Sequence, residues 1–289
     1  MSMKISIQAL GLAAALSVSA CRPEVPHPPL PEGERDIVIG RSFLLESEVF
    51  GSSRTVNVYL PAGYEDSGDD YPVLYLVDGG VDQDFHPMSG MAALAGLTGQ
   101  FRELILVGVR TEARRYELTA PSEEPQDLEL IPDNGGAADF RRHLLEEVKP
   151  WVEARYRASG EDGIIGESLA GLFITETFLR APGSFTHFVA VSPSLWWRDG
   201  ALSREAEKLL QGGPDSSGRS FFLTIADEGG TMLEAVERVA AALEGHAPEG
   251  LRWWYEPMPE ESHSTIYNPA TLRALRRIFA PREPPSDGG

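Results

Sequence analysis

The stretch Gly163-Ile164-Ile165-Gly166-Glu167-Ser168-Leu169-Ala170-Gly171-Leu172 constrains this chain more than any other. A short glycine-led apolar run ends in Gly-x-Ser-x-Gly, and a helical pattern through Phe173, Ile174 and Phe178 begins at once. Strand, tight turn and helix in that order lay out a nucleophile elbow, in which a strained serine is pushed out of the backbone and its neighbours must be small. Gly166 and Gly171 supply the room, and the amide of Leu169 at the helix start would point at a bound carbonyl oxygen. The plainer reading of the same residues is a helix N-terminus capped by Ser168.

The rest of the chain decides between them by its alternation of elements. Phe43 to Phe50 and Arg54 to Leu60 read as two strands around a Gly51-Ser52-Ser53 turn, an antiparallel hairpin. Tyr71 to Val77 and Leu104 to Val109 are near-continuous apolar runs, as strands buried on both faces require. Further strands are expected at Phe188–Val191, Phe221–Ile225 and Arg252–Glu256. Helices are expected around 88–97, 140–156, 202–210, 232–243 and 271–279, the second of them strongly amphipathic and with Pro150 as a potential kink. Residues 110–136 read as a long polar loop, and a loop of that length in a compact domain is usually functional or mobile. Strands alternating with helices after an initial hairpin predict a mostly parallel central sheet with helices on both faces, and catalytic groups beyond the carboxyl ends of its strands.

Charge narrows the partners. With 44 acidic against 25 basic residues the net charge is -19, which repels a phosphate backbone and an anionic bilayer, so nucleic acid is not expected as a partner. Polyanionic substrates are disfavoured too, unless basic residues gather at the mouth of the site. The one cysteine, Cys21, permits neither an internal disulfide nor a thiolate metal cluster. It follows Met1 to Lys4, an apolar stretch Ile5 to Val18 and the small residues Ser19-Ala20, and Val18-Ser19-Ala20-Cys21 resembles a bacterial lipobox with Cys21 as the lipidated residue. Ordinary cleavage, leaving a soluble exported protein, is the alternative. The expected organisation is a signal peptide over 1–20, a proline-rich tether over 21–36, a catalytic domain over 37–280 and a disordered tail over 281–289. The chain would then be exported and held at a membrane only by its N-terminal lipid.

A serine hydroxyl needs a base within hydrogen-bond reach and a third group to orient that base. After Ser168 the histidines are His187, His246 and His263. The first two fall at the wrong end of the sheet, whereas His263 follows the last strand in the loop Pro257 to Thr265. The loop after the Phe221–Ile225 strand offers Asp227 and Glu228 as the acid, and the sequence does not choose between them. Asp78-Gly79-Gly80, at the end of a buried strand, suits a second oxyanion donor, Gly79 with Gly80 as the neighbouring option. Trp196 and Trp197, beyond the strand beside the elbow, would wall a substrate pocket, and Arg114, Arg115 and Tyr116 could line its entrance. No metal or cofactor is expected.

Gly166 to Phe173, Val-Ser-Pro-Ser-Leu-Trp-Trp at 191–197, Arg-Arg-Tyr-Glu-Leu-Thr at 114–119, the 140–156 helix and Ser262-His263-Ser264 together resemble the esterase family of α/β hydrolases that includes esterase D-like enzymes and the enterobactin and salmochelin siderophore esterases. The likeness covers roughly residues 40–280. It implies an α/β-hydrolase fold, Ser168 as nucleophile, His263 as base, and Gly79 with Leu169 as the oxyanion hole. Ala170 stands where many members have glycine, and the acid loop Ala226 to Gly230 matches no fixed family pattern, some siderophore esterases running on a serine–histidine dyad. The expected activity is carboxylic-ester hydrolysis through an acyl-enzyme, on a small-molecule ester. An acyltransferase on the same site and a non-catalytic binding lipoprotein of the same fold are the rivals.

Overall fold

The computed structural model describes Gly33, residues 35–211 and residues 216–282. Cys21, the expected signal peptide, most of the expected tether and the part of the expected tail beyond residue 282 lie outside the described residues. The chain divides after Val38: of the first unit, Gly33 and residues 35–38 are described and are exposed without regular structure, and the second unit, from Ile39 onward, holds everything below.

Strands β1 (Arg41–Ser47) and β2 (Ser52–Tyr59) form the antiparallel hairpin, Arg41 opposite Val58. Then follow α1 (Tyr64–Ser67), β3 (Tyr71–Val77), α2 (Phe85–Thr98), β4 (Ile105–Val109), α3 (Arg114–Glu117) and α4 (Pro125–Leu130). The long polar segment is therefore not a bare loop but carries two short helices. Ala137–Arg142 (α5), a π-helical stretch His143–Val148 and Lys149–Glu153 (α6) run on as one rod. Pro150 lacks an amide for the helix ladder, and the widened turns that precede it take up the disruption without a break. The remainder alternates: β5 (Ala158–Glu167), α7 (Leu169–Arg180), β6 (His187–Val191), α8 (Trp197–Leu210), β7 (Ser220–Thr224), α9 (Gly230–His246), β8 (Arg252–Tyr255) and α10 (Tyr267–Ile278).

Among the described residues the strands form one sheet in the order β1-β2-β4-β3-β5-β6-β7-β8. The hairpin joins antiparallel through β2 and β4, and every pairing from β4 to β8 is parallel. This is the α/β-hydrolase fold. One apolar layer packs Phe140, Phe173, Phe178 and Val239 of the rod, α7 and α9 against Tyr75, Phe188 and Phe221. Phe178 stacks on Phe221 with ring centroids 4.2 Å apart. The opposite face packs Met88 and Ala92 of α2 and Ala274 and Ile278 of α10 against Leu76, Val189 and Phe222. Side chains alternate across each strand, so Phe221 and Phe222 enter different layers, and both layers are needed to bury a parallel sheet.

The motif Arg114 to Thr119 is anchored by Glu117, buried within α3. Its carboxylate accepts from Arg54 Nη2 at 2.7 Å and from the amides of Glu112 and Ala113, each at 3.1 Å. Removing one partner of such a buried pair leaves the other charge uncompensated. Glu117→Ala is expected to cost about 3 kcal/mol of stability, read as a fall in the denaturant midpoint; a loss below about 1 kcal/mol would show that the pair does not fix this segment.

Candidate active site

Ser168 sits directly after β5, the strand flanked by β3 and β6, and precedes the first residue of α7. Its backbone lies at φ 61°, ψ −119°, a region that side-chain-bearing residues rarely adopt. The turn is held from outside: Ser168 N–H donates to Val191 O at 3.0 Å, and Ser194 N–H donates to Ser168 O at 3.0 Å. A Cβ on Gly166 would lie 2.5 Å from Cβ of Ala170, and one on Gly171 would lie 2.8 Å from Val191 O, so both positions need glycine. Ala170 is wholly buried and is accommodated against Gly166. The first helical bond of α7 runs from Leu172 N–H to Ser168 O, which leaves the N–H of Leu169 at the open end of the helix.

Ser168, Leu169, Ser194, Trp196, Glu228 and His263 line one cavity of about 340 Å³, joined by Arg114 and Arg115. The pairing of β7 with β8 continues past both strands: Met258 N–H donates to Ile225 O at 2.8 Å and Asp227 N–H to Glu261 O at 3.0 Å. That clamp lays the loop after β7 against the loop that carries His263. Glu228 Oε1 lies 2.8 Å from His263 Nδ1. Asp227, one residue earlier, faces solvent and does not meet the imidazole; the acid beside His263 is Glu228. Among the described residues Ser168 Oγ has one hydrogen-bond partner, Ser194 Oγ at 3.3 Å. The hydroxyl and imidazole thus share a cavity without a closed bond, and bonds of this kind often tighten only around a substrate.

Two expected residues stand elsewhere. Gly79 N–H donates to Val109 O at 2.9 Å, as a continuation of the β3–β4 ladder, and is not free to receive an oxyanion. A Cβ there would run into the backbone of Gly108, so this glycine serves close packing of two strands. The Gly80 amide is likewise engaged, by Gln83 Oε1 at 2.9 Å. Trp197 is buried and donates from Nε1 to Ala120 O at 2.9 Å; adjacent residues leave a turn in different directions, and Trp196 alone of the pair walls the cavity. Arg115 is exposed at the rim, with Nη1 on Leu130 O. His187 and His246 are bound to Glu161 and Glu207, away from the cavity.

Sequence reasoning placed Arg114 at the entrance and left two neighbours of the site, Glu167 and Asp84, unassigned. Arg114 reaches it from α3, its Nε donating to the buried Asp78 at 2.7 Å and its Nη2 at 3.5 Å from Glu167 O. Glu167, next to the serine, has a buried Oε1 with no hydrogen-bond partner among the described residues, and burial pushes its pKa up to about 7. Burial, with Asp78 nearby, raises Asp84 to about 6. The hydrogen bond that His263 donates to Glu228 raises its pKa from the ordinary histidine value against its partial burial, and Glu167 adds to the rise. Among the described residues no group of three or more His, Cys, Asp or Glu could hold a metal ion, and no helix is long and apolar enough to cross a membrane.

Residues 47–222 match the family described as "Putative esterase". The chain belongs to this family of ester-bond hydrolases. It is 27% identical over 240 residues to the ferri-bacillibactin esterase BesA of Bacillus subtilis, covering 74% of this chain and 81% of that protein. It is also similar to an IroE-like serine hydrolase from Shewanella oneidensis, with a TM-score of 0.71, 26% identity and coverage of 83% of this chain and 80% of that one. The BES protein from Bacillus cereus shares the fold at a TM-score of 0.74 and 21% identity, over 86% of this chain and 99% of that one.

Because Glu228 holds His263 in its charged form more firmly, Glu228→Gln is expected to lower the imidazole pKa and Asp227→Asn to leave it in place. Proton NMR titration of His263 reads both; equal shifts in the two variants would contradict the Glu228 contact.

Proposed function

We propose that this esterase-family protein is a serine carboxylic-ester hydrolase working through an acyl-enzyme. The single observation that carries the reading is the Glu228–His263 pair, at 2.8 Å, opening on the same cavity as the hydroxyl of the strained Ser168. In the proposed cycle His263 Nε2 takes the Ser168 proton as Oγ bonds to the ester carbon, then gives it to the departing alcohol. Water repeats the sequence on the acyl-enzyme and releases the acid. Glu228 keeps Nδ1 occupied, so that Nε2 faces the serine, and stabilises the imidazolium that forms in each step. The Leu169 amide at the start of α7 donates to the developing oxyanion.

For substrate we propose a siderophore ester or a secondary-metabolite ester of similar size. BesA, by its name, acts on ferri-bacillibactin, and the cavity here gathers Arg114 and Arg115 at an opening walled by Trp196. Arg114 is paired with Asp78, so it is Arg115 at the rim, resting on the Leu130 carbonyl, whose charge locally offsets the acidity of a chain with net charge -19 and favours an anionic substrate that the molecule as a whole would repel. For location we propose an exported lipoprotein anchored through Cys21, on the strength of its lipobox-like context.

Mixing with p-nitrophenyl acetate is expected to give a burst of p-nitrophenol, and a fluorophosphonate probe is expected to label Ser168. Ser168→Ala loses both; a protein that shows neither burst nor label is not a serine esterase of this kind. A siderophore trilactone offered beside simple aryl esters tests the substrate class, which fails if only the aryl esters are cut. Expressed in a bacterial host with an alkyne fatty acid, the full chain is expected to take up label that Cys21→Ala abolishes; an unlabelled wild type removes the lipoprotein reading.

A further inference from the structure

The motif Ser192-Pro193-Ser194 follows β6 in an unusual conformation that the reaction as described above leaves unused. Ser192 lies at φ 39°, a strained value for a residue with a side chain. The structure holds it there from several directions. Ser192 N–H donates to Thr224 O at 3.0 Å, and Ser192 Oγ accepts from Ala226 N–H at 3.0 Å. Gly171 of α7 approaches this turn so closely that an added Cβ would meet Pro193 Cα at 3.0 Å. Ser194 N–H closes the clamp on the carbonyl of Ser168 itself at 3.0 Å. The result of this bracing is a buried Ser194 hydroxyl fixed 3.3 Å from the Ser168 hydroxyl, with no other hydrogen-bond partner among the described residues.

Resting on the acyl-enzyme reading, we infer that Ser194 is a further catalytic residue whose hydroxyl donates a hydrogen bond to Ser168 Oγ whenever that oxygen carries charge. The direction of donation follows from proton bookkeeping. For attack, the Ser168 proton must go to His263, so in the Ser194–Ser168 pair only Ser194 has a proton to give. As the Ser168 O–H breaks and the Oγ–carbon bond forms, negative charge passes through Oγ. It returns when that bond breaks in deacylation and Oγ recovers its proton from His263. A donor held on Oγ stabilises both moments and contributes nothing to binding the uncharged ester, so its loss lowers rates and leaves affinity in place. Ser194 keeps its own proton throughout, and no further reactant is needed. The engaged amides of Gly79 and Gly80 make a fixed hydroxyl here more consequential, since the site has fewer donors than the sequence suggests.

Stopped-flow hydrolysis of p-nitrophenyl acetate by the full chain tests this. Ser194→Ala is expected to slow both the burst and the steady-state rate by about tenfold, with the substrate dependence of the burst unchanged, the size of effect expected for a hydrogen bond to a charging oxygen. Should alanine weaken the turn, as a lowered melting temperature would show, the near-isosteric pair Ser194→Thr and Ser194→Val gives the same comparison, with threonine the faster of the two in both phases. Rates within twofold of wild type for Ser194→Ala, or equal rates for threonine and valine, overturn the assignment, as does a loss confined to the substrate dependence. Fluorophosphonate labelling of wild-type Ser168 separates the two levels: without it the esterase reading fails first, and with it a null result at Ser194 counts against this inference alone.

Discussion

The backbone of Ser168, held at φ 61°, is the constraint on which the remainder depends. A conformation of this kind costs on the order of 1–3 kcal/mol and persists only where its surroundings over-determine it. Here the surroundings are the parallel β5–β6 pairing, the bonds from Ser168 to Val191 and from Ser194 to Ser168, and two glycines that let α7 close on the strand ends. The same contacts that hold the serine therefore also position the turn after β6. Rigid layers on both faces of the sheet make such strain sustainable, because close-packed interiors do not relax a local distortion cheaply.

The residues of the candidate site come from separate loops at the carboxyl ends of the strands. Ser168 follows β5, Ser194 follows β6, Glu228 follows β7 and His263 follows β8. Adjacent strands in a parallel sheet end side by side, so these four residues become neighbours although 95 positions of sequence separate Ser168 from His263. At the other end of the strands, Glu161 joins Arg102 and His187, and Arg102 in turn reaches the backbone of Ala280. The candidate site and the ion pairs that tie down the last described residues thus occupy opposite ends of one frame.

Much of this was legible in residue pattern. Apolar runs such as Tyr71 to Val77, and the glycine-serine-glycine turn before a buried helical stretch, carry strong local signals that tertiary context reinforces. The histidine was legible by elimination, since sheet polarity fixes which loops face the site. What the sequence withheld were choices between neighbours. Asp227 and Glu228 differ by one residue, and only the Asp227–Glu261 backbone bond settles which side chain turns toward the imidazole. Trp196 and Trp197 part in the same way, one to the cavity and one to the core. Gly79 misled for a different reason: a glycine after a strand can free its amide or admit a neighbouring backbone, and Gly108 occupies the space here. Ser194 carried no signal of its own, being one serine in a motif read for its tryptophans.

The partly buried carboxyls beside the elbow make the folded molecule sensitive to the acidity of its surroundings. Glu167 and Asp84 keep their protons in the native state up to about 7 and about 6, whereas ordinary values of 4.5 and 3.8 apply once the chain unfolds. Across that interval the unfolded chain has released protons that the folded one retains, so folding takes up protons. Alkalinisation through this window draws stability away, and mild acidification restores it. These two carboxyls therefore penalise the fold more in a basic medium than in a slightly sour one, while the buried His143, whose pKa is lowered, pulls the other way on acidification.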